Sequence, residues 1–332
     1  MAGYFLPEMD YRDVEVKTGL DEKASRELEV VSMVNSFRES RVNVLWGIGA
    51  GGSIDTYPLF YRNLVIFGSL DRNVYAVNTD TGRQVWRFGT GSPVFYLGCI
   101  CDGRVFFGSF DGNLYCLDAG SGDEVWRLSV GSPIATGPNG HGGTLYFGAK
   151  NGNVYAVSLE GRVLWIHHTD GPVVSPPLRH GNRIYVGSWD RNMYCLDAET
   201  GREIWRFPTQ DKINMEAGIH KGVLVFGSFD MNVYGIDSRK GTLVWKRGFS
   251  GVTGYGKPPM SGDGVVFLGS RDHSLYAIDA ATGRIAWSFR TGNIATTACL
   301  HDDVVYMVSA DNNVYALRKD DGSLIWKYAT GG

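Results

Sequence analysis

CLDAETGREIW, residues 195–205, is the stretch on which the fold turns, because the chain repeats it. It returns as AVNTDTGRQVW (76–86), CLDAGSGDEVW (116–126), GIDSRKGTLVW (235–245), AIDAATGRIAW (277–287) and ALRKDDGSLIW (316–326), with AVSLEGRVLW (156–165) one position short. The closing tryptophans, together with an earlier one, are Trp46, Trp86, Trp126, Trp165, Trp205, Trp245, Trp287 and Trp326. Only Trp189 lies outside the series. A nearly constant period of about forty residues is the signature of a repeat architecture.

Working outward from that stretch, each period runs through the same events. An apolar strand ends in Gly-Ser, as in IFGS (66–69), FFGS (106–109), YVGS (185–188), VFGS (225–228) and FLGS (267–270). A turn such as Asp71-Arg72-Asn73 or Asp111-Gly112-Asn113 follows, built from residues that accept positive φ or cap their own backbone. A third strand then reads NVYAVN, NLYCLD, NVYAVS, NMYCLD, NVYGID, SLYAID or NVYALR. A second turn leads to the tryptophan strand, with glycine at 82, 122, 161, 201, 241, 283 and 322. With the lead-in strand this makes four short strands per period, joined as successive hairpins. Such a unit cannot bury both faces alone, and radial repetition lets each sheet bury its faces on its neighbours. The 3.6-residue periodicity of a helical solenoid is missing. The fold expected is all-β, a β-propeller of four-stranded antiparallel blades.

These repeats resemble the tryptophan-docking motif of quinoprotein-like propellers, roughly A-x-D-x-x-T-G-x-x-x-W, over about residues 51–330. The resemblance implies that each indole seats in the neighbouring blade, and that many relatives have eight blades. Seven complete repeats are present, and VNVLWGIG (43–49) supplies an eighth tryptophan strand, so eight blades are favoured over seven. Residues 1–41 do not repeat. Within them Leu28, Val31, Val34 and Phe37 fall at helical spacing, which predicts a short amphipathic helix, with the propeller over 42–332.

Composition narrows the function. A formal net charge of −3 provides no basic field for a phosphate backbone, so nucleic acid is not expected as a partner. No run of about eighteen apolar residues exists, so no spanning helix is expected. The N-terminus lacks a basic start followed by an apolar core, so no secretory signal is expected. Five cysteines without a framework of spacings fit a reducing compartment, and a cytoplasmic location is expected.

No nucleophile elbow, zinc-protease helix or phosphate loop is present. The aspartates after Gly-Ser (71, 111, 190, 230, 272 and 311) occur once per blade, too far apart to share one calcium ion, and are read as Asx-turn residues. Cys99 and Cys101 form a C-x-C pair that could face a metal, but histidine at ligand spacing is lacking; no metal site and no cofactor is assigned.

Function is sought where a repeat breaks its own rule. Lead-in strands carry small residues such as Ala135-Thr136 and Val174-Ser175, yet DKINMEAGIH (211–220) brings Lys212, Asn214 and Glu216. The first unit brings Asp55 and Tyr57 to the positions aligned with Asn214 and Glu216, the second brings Tyr96, and an insertion in the sixth brings Tyr255 and Lys257. These eight residues are the candidate site at the channel mouth. The alternative is a solvated rim with ion pairs such as Glu216–Lys257. Phe110, Trp189 and Phe229, each directly after Gly-Ser, are candidate contacts. The expected function is a non-catalytic binding or assembly scaffold for a protein partner or small ligand. A pyrroloquinoline-quinone and calcium-dependent dehydrogenase and a small-molecule sensor are the alternatives. The dehydrogenase branch of the resembling family carries two adjacent cysteines over its cofactor, and this chain has no Cys-Cys pair.

Overall fold

The computed structural model describes residues 45–54, 56–251 and 263–330. Among them lie seven antiparallel sheets and no helix. In the first, Leu59–Tyr61, Leu64–Gly68, Asn73–Asn78 and Gln84–Gly89 are hydrogen-bonded in sequence order, and the others repeat this plan. The sixth sheet has three described strands, Val265–Gly269, Ser274–Asp279 and Ile285–Arg290. Its lead-in segment, 252–262, lies outside the described residues, as does the helix expected within 1–41. The described residues form seven blades of an all-β propeller, six with four antiparallel strands and one with three described strands.

The burial of each strand explains its sequence. The second and third strands lie between two neighbouring blades, so both faces are covered and they read as unbroken apolar runs such as RVFFG and NLYCLD. The tryptophan strand is outermost in its blade, and residues alternate between cover and solvent, as in EIWRFP. Apolar core therefore fills the space between successive blades, and runs on continuously from the fourth through the fifth to the sixth. Ile66, Val74 and Trp86 of the first blade meet Val105, Phe107 and Leu117 of the second. Phe106 and Cys116 then meet Leu145, Phe147 and Val157 of the third.

Backbone contact between blades is close, and this accounts for the Gly-Ser ending. A Cβ on Gly108 would stand 2.2 Å from Ile134 Cγ2 of the following blade. The Ser109 carbonyl accepts the Ile134 N–H at 3.1 Å, and Ser188 accepts that of Ile213 at 3.2 Å. The indoles add a second link at the periphery. Trp86 Nε1 donates to Ala119 O at 3.1 Å, Trp126 to Leu159 O at 3.0 Å, Trp165 to Ala198 O at 3.0 Å and Trp245 to Ala280 O at 2.9 Å. Each ring lies over a turn glycine of the next blade. At Gly201, φ is +69° and a Cβ would sit 2.6 Å from Trp165 Cδ2, so both the turn and the indole exclude a side chain.

Residues 45–50 carry no strand assignment, in contrast to the strand expected at 43–49. Trp46 nevertheless behaves like its repeats: its Nε1 donates to Thr79 O at 2.7 Å, and its ring covers Gly82 of the first blade. Trp46, Ile48 and Ala50 cover the first blade's Phe67, Tyr75 and Val77.

The repeated aspartates close turns. Asp111 Oδ1 accepts the Asn113 N–H at 2.9 Å, and Oδ2 accepts the Tyr115 hydroxyl and the Gly91 N–H, both at 2.8 Å. One carboxylate thus joins the turn, the third strand and the lead-in segment. The third blade has Asn151 instead, whose Oδ1 accepts the Asn153 N–H at 3.1 Å while Nδ2 donates to Tyr155 Oη at 3.1 Å.

Candidate functional site: the channel mouth

The segments that lead into the innermost strands place side chains around the channel. The register follows from one hydrogen bond that recurs from unit to unit. Leu70 N–H donates to Ser53 O, Phe110 to Pro93 O, Lys150 to Pro133 O, Trp189 to Pro172 O and Phe229 to Lys212 O. Counting on from those acceptors, Tyr57, Leu97, Gly137, Pro176 and Glu216 occupy one equivalent position in five consecutive blades. All five line a cavity of about 210 Å³, with Tyr96, Asn139 and Asn214 also in its wall. The cavity is therefore a section of the central channel, because only the axis is shared by five blades.

Four of the eight expected residues, Tyr57, Tyr96, Asn214 and Glu216, meet at this cavity. Glu216 is buried at 6% exposure. Lys212 lies above the cavity, outside its lining. Asp55, Tyr255 and Lys257 lie outside the described residues, and with them the Glu216–Lys257 pair.

Above the cavity stands a rim of aromatic and cationic groups. Lys212 Nζ lies 4.5 Å from the Trp189 ring centroid and 5.0 Å from that of Phe229. Trp189 Nε1 donates to Asn214 Oδ1, which ties the rim to the cavity wall. Across the next blade, Lys150 Nζ lies 4.6 Å over Phe110, whose ring meets Phe95 at 4.4 Å. Among the described residues, neither lysine has a carboxylate within ion-pair distance. Burial lowers the pKa of Lys150. The aromatic faces supply the attraction that a counter-ion would otherwise provide. Lys150 was missed in the sequence, although it occupies the position after the second strand where three other blades place Phe110, Trp189 and Phe229.

Cys99 also lines the cavity, and its Sγ lies 3.9 Å from that of Cys101. Burial, with the neighbouring Cys101, pushes the Cys99 thiol well above its ordinary range. Cys116 and Cys195 are fully buried in third strands, and burial raises each to about 11.

Fold and site define a class, the β-propeller with an axial cavity. The family profile described as outer membrane protein assembly factor BamB, of the PQQ-like repeat type, matches residues 71–180, 110–250 and 229–332. The chain belongs to this family of PQQ-like propellers. No curated protein matches the chain. Among solved structures, BamB from Moraxella catarrhalis is 19% identical at a TM-score of 0.72, covering 84% of this chain and 88% of that one. The computationally designed Ika8 protein is 21% identical at a TM-score of 0.75, over 83% and 87% of the two chains. Quinohemoprotein alcohol dehydrogenase from Comamonas testosteroni is 15% identical at a TM-score of 0.73, over 84% and 67%. At these identities the likeness concerns the fold.

The dehydrogenase relatives raise the question of a quinone cofactor. Pyrroloquinoline quinone is a tricarboxylate and calls for cationic or strongly donating walls. The described lining of the cavity contains the Glu216 carboxylate and no lysine or arginine. Among the described residues, no cluster of three or more His, Cys, Asp or Glu could hold an accompanying metal ion. The described residues do not fit that cofactor.

Proposed function

We propose that this protein is a non-catalytic scaffold that binds a protein partner at the channel mouth, using the rim of Phe110, Lys150, Trp189, Lys212 and Phe229. The observation that carries this reading is the pair of lysines held over aromatic faces without a carboxylate partner among the described residues. An acidic segment reaching the mouth gains two charge partners already oriented. The aromatic rings beside them supply the apolar area that dominates interface centres. The membership in the BamB-described family supports a binding role, and the mismatch between the cavity lining and a tricarboxylate weighs against the dehydrogenase alternative. The unpaired cysteines accord with a cytoplasmic setting.

The test is affinity capture from native lysate with the wild-type chain and with K150E/K212E, at two salt concentrations. Proteins retained by the wild type and lost from the variant and at high salt are the expected result. Identical capture by both chains refutes the rim as the binding surface. A small ligand in the cavity below is the second reading, favoured by the convergence of Tyr57, Tyr96, Asn214 and Glu216. It requires a ligand-induced thermal shift that E216A abolishes and K150E/K212E leaves intact.

We also infer that the ring has an eighth position, between the last described blade and the first. Trp46 occupies the seat on the first blade, so Trp326 has no seat there. The Trp326 ring meets Tyr306 of its own blade at 5.9 Å, and its Nε1 has no acceptor among the described residues.

A further inference from the structure

We propose that Cys99 and Cys101 form a binding site for a soft monovalent cation, Cu(I), at the seam between the second and third blades. The two residues alternate on one strand, Leu97–Cys101, and project from the same face. Their sulfurs are 3.9 Å apart. Both sulfurs lie within reach of one ion, since two metal–thiolate bonds of about 2.2–2.3 Å span a separation of up to about 4.5 Å. Rotation of the two side chains about χ1 widens the separation toward the near-linear S–Cu–S arrangement of two-coordinate Cu(I) without any backbone change.

The opposing blade leaves room for the sulfurs. Gly140 faces the pair, and a Cβ there would stand 2.7 Å from Cys99 Sγ and 2.8 Å from Cys101 Sγ. Cys99 also opens on the axial cavity, which provides a route for a metal carried by a small chelator. The other cysteines lack this arrangement. Cys116 and Cys195 are fully buried, each in a different blade, and Cys299 is exposed.

The donor set selects the ion. Thiolates favour soft cations, whereas a structural zinc takes four ligands. No third His, Cys, Asp or Glu joins the pair among the described residues. Two sulfurs alone suit Cu(I), which is stable at low coordination number. On binding, each thiol loses its proton to solvent and two S–Cu bonds form. No electron is transferred, and the resulting bis-thiolate carries one negative charge.

This site is independent of the rim and is tested without any partner. The full chain, reduced and anaerobic, is titrated with Cu(I) supplied as a bathocuproine disulfonate complex. One equivalent withdrawn from the chelator per chain is expected, with the chain remaining unchanged in size by gel filtration. C99S and C101S each lose that equivalent, while C299S keeps it, and thermal melts establish that each variant is folded. If a serine variant fails to fold, alkylation of the wild type decides: Cu(I) should protect Cys99 and Cys101 from iodoacetamide and leave Cys299 reactive. Failure of the wild type to compete with the chelator, retention by folded C99S, loss in C299S, or no protection overturns the proposal.

Discussion

Replacing Trp165 with phenylalanine probes the contact that joins one blade to the next. The indole N–H bond to Ala198 O, 3.0 Å long, disappears, at a net cost of about 1 kcal/mol. The smaller ring gives up roughly another 1 kcal/mol of apolar burial over Gly201. Ala198 O keeps the Tyr146 hydroxyl at 3.2 Å, so no buried carbonyl is left bare. The whole cost is therefore about 2 kcal/mol, the sum of the lost bond and the lost burial. At about 2.1 cal/mol/K per residue the 332-residue chain unfolds with an entropy of roughly 0.7 kcal/mol/K, so this corresponds to a fall in Tm of about 3 °C. Chemical denaturation should show the midpoint moving with an unchanged slope. The same substitution at Trp326 tests the eighth position. If that indole is seated as Trp165 is, W326F costs a comparable amount. A W326F shift below about 1 °C beside a full W165F shift removes the eighth position. A W165F variant as stable as the wild type refutes the account of how the blades are joined.

Two further outcomes follow from half-buried polar groups. His167 lies where other blades carry Phe88, Phe207 and Phe289, and it meets Tyr194 at 5.7 Å as Phe207 meets Tyr234 at 5.6 Å. Its Nδ1 donates to Gly201 O at 3.1 Å, while Nε2 is buried without a partner among the described residues, and burial lowers its pKa. The unfolded chain takes up a proton near pH 6.5 that the folded chain accepts only at lower pH, so this residue costs stability as pH falls through that window. H167F should raise stability by about 0.5–1 kcal/mol at pH 7 and flatten the decline in Tm between pH 7 and 5. A steeper decline in the variant contradicts the assignment. At Asp230 the opposing effect of burial is outweighed by bonds from the Tyr234 hydroxyl, the Gln210 N–H and Asn232, so its carboxyl sits below the ordinary range. Its contribution is present above the unfolded value of about 3.8 and lost as pH falls through the folded one. D230N should cost about 1 kcal/mol, because Asn151 performs this role in the third blade, and D230A about 2–3 kcal/mol. Equal costs in urea denaturation would mean that the turn bonds contribute nothing.

The repeat was legible in the sequence because it is local. Each turn needs Asp, Asn or Gly at a set offset, and each strand between two blades must be apolar on both faces, so period and strand order are written residue by residue. The convergence of Tyr57 with Glu216 was accessible because both break the pattern at one register position, although they belong to the first and fifth units. What belongs to tertiary structure alone is which residues meet across blades. The lysine–aromatic rim needs Lys212 folded over Trp189 of the preceding blade, and the sulfur pair needs Gly140 from the following one. Neither relation follows a constant spacing. A sequence records what each strand requires of itself, whereas the curvature of the ring decides which side chains of successive strands come within reach around the axis.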